Sequence, residues 1–260
     1  MDLGLRNKTA LVTGASRGLG AAIARGLAEE GVTVYAAARN VEAIAAWASA
    51  LPDTFGKVHP LSLDLASIES VNAVVETLRA AGGVDILINN SGGPPPALAS
   101  EARLEDWVRQ FEAMAASIFH LTGKLLPMMR ERRWGRIISI ASSGVEQPIP
   151  RLALSNGIRS ALVGWSKTLA QEVAGDGVTV NVLLPGRIHT QRVEELDAAA
   201  ADRAGRSVAD VAAESAARIP AGRYGRPEEF AAVAVFLSSA CSSYVTGSKI
   251  RVDGGLIGSV

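Results

Sequence analysis

The sequence is short of the residues on which several protein classes depend. Its 260 residues include one cysteine, Cys241, which excludes an intramolecular disulfide and fits a reducing compartment. Its three histidines have no metal-ligand spacing, so no metal site is expected. Lys+Arg and Asp+Glu both number 26, so no excess of one sign points to nucleic acid or an anionic membrane. No apolar run approaches the ~20 residues that cross a bilayer as a helix. The opening MDLGLRNKTALV has charges too early and an apolar run too short for a signal peptide. A cytoplasmic protein is expected.

What is present is a rhythm. Short β-branched runs alternate with longer Ala-rich segments of helical period. The pattern predicts strands at Thr9–Thr13, Thr33–Ala38, Val58–Ser62, Ile86–Asn89, Arg136–Ile140, Val178–Leu184 and Ile250–Val252. It predicts helices near Gly18–Glu30, Val41–Ala50, Ile68–Ala81, Leu104–Arg132, Ser155–Val173 and Pro227–Ser239. Strands such as ALVT and ILINN are apolar at successive positions, as a parallel strand buried on both faces requires. The alternation implies right-handed crossovers and an α/β fold: one doubly wound, mostly parallel sheet with helices on both faces. No repeat or linker divides residues 1–260, so a single domain is expected. The segment Gln191–Ile219 interrupts the rhythm with Ala- and acid-rich helical sequence, read as a lid over a ligand at the carboxyl ends of the strands. Its possible apolar contacts are Val193, Leu196, Val208 and Val211.

The first strand runs through TGASRGLG, Thr13–Gly20, into a helix. Glycines there permit a tight turn and close approach of backbone to phosphate, and the helix N-terminus adds free N–H groups and a favourable dipole. The second strand ends in AAARN. An acid at that point would accept hydrogen bonds from a ribose 2′-hydroxyl. Here Arg39 stands instead, and Arg17 lies in the glycine loop. Two guanidinium groups suit a 2′-phosphate, because arginine meets phosphate as a planar, bidentate fork. NADP(H) is the expected cofactor.

TGASRGLG, Asp64–Leu65, NNSG at Asn89–Gly92, PGRIHT at Pro185–Thr190 and RVDGG near the end together resemble the short-chain dehydrogenase/reductase family over essentially the whole chain. The 3-oxoacyl-acyl-carrier-protein reductase branch looks most similar. The resemblance implies a Rossmann fold. It also implies that Gly14, Ser16, Arg17, Gly18, Leu19 and Gly20 cradle the cofactor phosphates and that Asp64 and Leu65 flank the adenine. Asn90 and Gly92 would pass under the nicotinamide-side ribose. Pro185, Gly186, Ile188 and Thr190 would hold the carboxamide and pyrophosphate. The family forms dimers and tetramers through two long central helices, here Leu104–Arg132 and Ser155–Val173, so a homodimer or homotetramer is implied. Three prolines in Gly93–Pro96 stiffen the loop beside the reaction centre, as a spacer or a substrate-shaping wall.

The same resemblance exposes a departure. The family's usual catalytic set is asparagine, serine, tyrosine and lysine. With the register set by Ala161–Ala170, the lysine site falls on Arg159 and the tyrosine site on Ser155, within ALSNGIRSAL. The serine site falls on Ser142 and, counted from Trp107, the asparagine site on Met114. Only the serine is kept. A phenol near pKa 10 can be pulled down by an ammonium, whereas an aliphatic hydroxyl resembles water at about 16. A deficit of some 5 units is worth about 7 kcal/mol if the whole proton must be given up. Arg159 stays protonated and relays no proton, yet it can stabilise an oxyanion.

Two readings stay open. In the first, an NADPH-dependent reductase delivers hydride to a carbonyl compound such as a 3-oxoacyl thioester or small ketone. Ser142 and Ser155 orient the carbonyl, Arg159 supplies charge, and water or His189 delivers the proton. A variant reduces a conjugated alkene; some dienoyl reductases of the family also lack the tyrosine, although they keep the lysine. In the second, the protein binds NADP(H) without turnover, as a sensor or scaffold subunit. There Ser142 is a strand-end hydroxyl satisfying backbone, and Ser155 is a helix N-cap. Tyr35, Tyr224 and Tyr244 have ordinary structural readings. Lys167 lies too far along its helix to substitute, and Ser117, His120 and Lys124 read as a packing or oligomer face.

Overall fold

The computed structural model describes residues 1–260. Seven strands form one sheet: β1 (Thr9–Thr13), β2 (Thr33–Ala38), β3 (Val58–Ser62), β4 (Ile86–Asn89), β5 (Gly135–Ile140), β6 (Val178–Pro185) and β7 (Lys249–Val252). All neighbours pair in parallel, in the order β3-β2-β1-β4-β5-β6-β7. The central β4 and β5 are buried at every position, which is why Ile86–Ile88 and Ile137–Ile138 run on without alternation, and the polar Asn89, Arg136 and Ser139 beside them are buried as well. The edge strand β3 is partly exposed and tolerates Pro60, whose missing N–H would break a central ladder.

Helices cover both faces. Ile23 and Leu27 of α1 (Gly18–Glu29), Ile44 and Trp47 of α2 (Val41–Ala48) and Phe230 and Val235 of α9 (Pro227–Leu237) close one face. Val71 and Leu78 of α3 (Ile68–Ala80), Leu121 and Leu125 of α5 (Ser117–Glu131) and Leu169 and Val173 of α6 (Ala153–Val173) close the other. Asn40 and Ser67 cap α2 and α3 by accepting from Ala43 N and Ser70 N. The expected doubly wound single domain is the observed one.

Two local expectations are corrected, and a third is refined. The segment Leu104–Arg132 is not one regular helix. It runs as α4 (Leu104–Phe111), a π turn at Glu112–Ala116, and α5. The wider turn takes up one extra residue and resets the helical face, and such turns gather at functional sites. Ser155 is no helix cap, because α6 begins two residues earlier and Leu152 precedes it without a side-chain cap. The insertion Gln191–Ile219 divides into α7 (Gln191–Ala204) and α8 (Val208–Ala217). Gly205, at φ +60°, ends α7 in the left-handed region, and Ser207 caps α8 by accepting from Asp210 N.

Candidate active site

The strand order reverses between β1 and β4, so the loops leaving their carboxyl ends part and leave a crevice. A cleft of about 1940 Å³ opens there. That exceeds the ~300–1,000 Å³ of a single drug-sized ligand site. It therefore has room for a dinucleotide and a second molecule.

Asn90 stitches the reversal point. Its backbone N–H donates to Thr13 Oγ1 at 2.8 Å, the Thr13 hydroxyl donates to Asn90 O at 2.8 Å, and the Asn90 amide reaches Gly14 O at 3.2 Å. This closeness is what the glycines permit. Gly14 has φ +61°, and a Cβ on Gly20 would lie 2.2 Å from Gly14 O. Gly20 does not line the cleft; it lets the first turn of α1 sit against the loop, while Gly14, Ser16, Arg17, Gly18 and Leu19 face the opening. The N-cap of α1, Arg17, makes no side-chain capping bond, so the helix's first N–H groups have no capping side chain. A Cβ added at Gly18 would lie 3.6 Å from the Thr190 methyl, so the β1 and β6 loops come close across the cleft here. A phosphate fits this cradle of bare backbone.

At one end of the cleft stand Arg17 and Arg39, with Asp64 and Leu65 beside them. Arg39 is exposed and has no carboxylate partner; Arg17 meets Glu195 of α7 at 3.4 Å. Asp64 spends one carboxylate oxygen on Ala66 N, which shapes its turn. Asn90, Gly92, Pro185, Gly186, Ile188 and Thr190 line the middle.

The other end contains Ser142, Ser155, Arg159 and Met114. Ser142, at the end of β5, accepts from Gly144 N at 3.0 Å, which leaves its own proton free for a ligand. Ser155 is largely buried and opens on the cleft from the first turn of α6. Arg159, one turn on, runs beneath the β4 loop. Its Nη1 donates to Ile140 O at 2.7 Å, and its Nη2 to Ser91 O at 3.3 Å and Gly92 O at 3.5 Å. Burial, and secondarily the charge of Arg192, pushes its guanidinium down to about 10, still protonated at neutral pH.

No tyrosine, lysine or histidine lines the cleft. Tyr35 stacks on His59, and Tyr244 is fully exposed. The Tyr224 hydroxyl donates to Asp197 at 2.8 Å, and burial raises it above the ordinary phenol range. Lys167 donates to Gly247 O, Ser117 to Leu65 O, and His120 pairs with Asn72. His189 is corrected as a proton donor: its side chain is 67% exposed and turned towards Glu194 at 3.5 Å, away from the cleft.

Two side chains escaped sequence reasoning. Arg192, two residues beyond PGRIHT, crosses the cleft and donates to Pro94 O at 2.7 Å. Asn156 donates to Ile149 O at 2.9 Å and fixes the loop before α6. Of the anticipated lid contacts, Val193 and Leu196 line the cleft, whereas Val208 and Val211 do not. Their only sequence signal was position beside a motif.

Comparison with known proteins agrees with this architecture. A family model described as enoyl-(acyl carrier protein) reductase, of the short-chain class, matches residues 14–257. The chain belongs to the short-chain dehydrogenase/reductase family. It is 35% identical to the 3-oxoacyl-[acyl-carrier-protein] reductase of Thermotoga maritima, over 97% of this chain and 99% of that one. With the Escherichia coli protein of the same description it shares 36% identity, over 98% of this chain and 99% of its relative. Among solved structures of the family, L-sorbose reductase from Gluconobacter frateurii, complexed with NADPH and L-sorbose, superposes with a TM-score of 0.94. It is 36% identical and covers each chain fully. No helix of the present chain is long and apolar enough to cross a membrane. No three His, Cys, Asp or Glu side chains converge as a metal site.

Proposed function

We propose that this member of the family is an NADPH-dependent carbonyl reductase working without a tyrosine–lysine pair. The observation that carries the proposal is Arg159: a buried guanidinium opening, with two serine hydroxyls, on the end of the cleft remote from the phosphate cradle. Gly14, Ser16, Gly18, Leu19 and the N-terminus of α1 hold the pyrophosphate, and Gly20 allows that approach. Arg17 and Arg39 take the 2′-phosphate, and Asp64 and Leu65 flank the adenine. Asn90, Gly92, Pro185, Gly186, Ile188 and Thr190 hold the nicotinamide half. NADPH, when bound, supplies a hydride to carbon. Ser142 and Ser155 donate hydrogen bonds to the substrate carbonyl oxygen. Arg159 stabilises the negative charge that develops there, in a site where few water dipoles compete. The serine hydroxyls are poor acids, so the proton comes from water. Helices α7 and α8 act as the lid, tied down by Arg187–Asp197 at 2.7 Å, Arg192 to Pro94 O, and Arg17–Glu195. The protein assembles as a homo-oligomer through α4–α5 and α6.

A second reading, NADP(H) binding without turnover, draws on the absence of tyrosine and lysine from the cleft wall. One experiment separates the two: NADPH oxidation against ketones, small oxo acids, 3-oxoacyl thioesters and enones, for the native protein, Ser142→Ala and Arg159→Ala, with NADPH affinity measured for each. The reductase reading expects turnover that falls at least about a hundredfold in Arg159→Ala, a loss of the size expected for an oxyanion-stabilising group. Tight NADPH binding with no turnover on any substrate establishes the second reading. Turnover indifferent to both substitutions removes the roles assigned to these side chains.

A further inference from the structure

Arg159 has a charge that the folded protein does not balance. Fifteen ion pairs join the chain's charged side chains, and none includes it. Another buried arginine, Arg136, shows what a purely structural guanidinium looks like here. It donates to Ser239 O at 3.0 Å, Gly135 O at 2.9 Å and Gly177 O at 3.4 Å, and lies 4.4 Å over the Trp134 ring. It is away from the cleft and no second cation presses on it. Arg159 differs on both counts. It lines the cleft, and its Nη2 meets Ser91 O and Gly92 O on the same loop whose Pro94 O accepts from Arg192 Nη2 at 2.7 Å, so two guanidinium groups converge on one four-residue stretch. Two like charges brought to one loop of a cleft destabilise each other, and an anion between them reverses the sign of the interaction.

Resident acids do not fill that role. Nine arginines line the cleft against three acids, Glu42, Asp64 and Glu195. Asp64 is in the loop after β3, and Glu42 on α2, beside Arg39. Glu195 is divided between Arg17 at 3.4 Å and Arg192 at 3.7 Å, and is half-exposed. The cofactor phosphates belong at the glycine cradle, and the nicotinamide-side ribose assigned to Asn90 and Gly92 is uncharged, so the cofactor brings no anion to Arg159.

We infer that the substrate is a small oxo acid whose carboxylate bridges Arg159 and Arg192. The inference rests on the proposed function and narrows its substrate class. A planar carboxylate presents one oxygen to each guanidinium, while Met114, Pro96, Ile149 and Leu152 give the surrounding wall apolar surface. The carbonyl to be reduced then lies against Ser142 and Ser155. Neutral ketones and thioesters leave the two cations facing each other. The site consequently selects against them by an unbalanced charge as well as by lost contacts.

The test is calorimetric titration of the protein saturated with NADP+, so that no hydride can transfer and the phosphate cradle is occupied. Malonate is the probe and dimethyl malonate its neutral counterpart. The expected result is binding of malonate but not of the diester, weakened at least about tenfold in Arg192→Gln and largely recovered in Arg192→Lys. Arg192 is partly exposed, so neither variant threatens the fold. Malonate and diester binding alike, neither binding, or Arg192→Gln binding malonate within twofold of the native protein each overturns the inference. Failure of the prior NADP+ titration is a different result: it overturns the cofactor reading on which the inference rests.

Discussion

At the scale of single residues, Arg159 sets function against stability. Its guanidinium is pushed down to about 10, below the ordinary arginine range, by burial first and by Arg192 second, so folding disfavours its charged form by roughly 3 kcal/mol at neutral pH. Replacing it with the similarly long, uncharged methionine removes that penalty. The same change leaves the Ile140, Ser91 and Gly92 carbonyls without this donor, at a cost of about 1–3 kcal/mol. The two terms nearly cancel. Arg159→Met should therefore unfold in denaturant within about 1 kcal/mol of the native protein while losing most of its turnover. A variant several kcal/mol less stable would mean that the arginine is there for structure. The position itself was legible before any coordinates, because the residues that follow it set its register. Arg192 was not: its effect on Arg159 comes from a side chain thirty-three positions away, crossing the cleft on another element.

Among elements, α9 shows how one acid can hold a helix start. Glu229 accepts from Arg226 N at 2.7 Å and from the Arg223 guanidinium at 2.7 and 2.9 Å. These bonds, Arg223's first, hold its carboxyl at about 2, below the usual 4.5. A carboxyl depressed in the folded state contributes fully above the unfolded value and is lost as pH falls through the folded one. The support given to α9 should thus fade between about pH 4.5 and 2. Urea unfolding at a series of pH values should show a shallower loss for Glu229→Gln than for the native protein across that window; parallel curves would contradict the assignment. Element types were readable from period and burial demand, as β4 and α3 show. The π turn at Glu112–Ala116 was not. It arises from the fit of one long segment against α6 and the cleft, and the local run EAMAA has no signal for it.

For the whole molecule, the apolar surface left over is informative. Leu104, Val108 and Phe111 recur at four and three residues along α4, and are 73%, 50% and 40% exposed. That spacing puts them on one face of the helix. Exposed apolar surface gathered on one face marks an interaction site, and the proposed assembly with a second copy of the chain would cover it. Light scattering should give a mass that is a multiple of 27.0 kDa, and Val108→Glu should lower it. A native monomer would dismiss the proposed assembly. The sequence by itself determined the parallel sheet, its strand–helix alternation, the phosphate cradle and the two arginines at its rim. Each of these depends on periodicity or on neighbours within a few residues. Only the tertiary structure decided that His189 turns outward, that Ser155 opens on the cleft instead of capping its helix, and that Arg192 meets the same loop as Arg159. Those outcomes depend on the burial and charge that distant elements impose on one another, and no short stretch of chain contains that information.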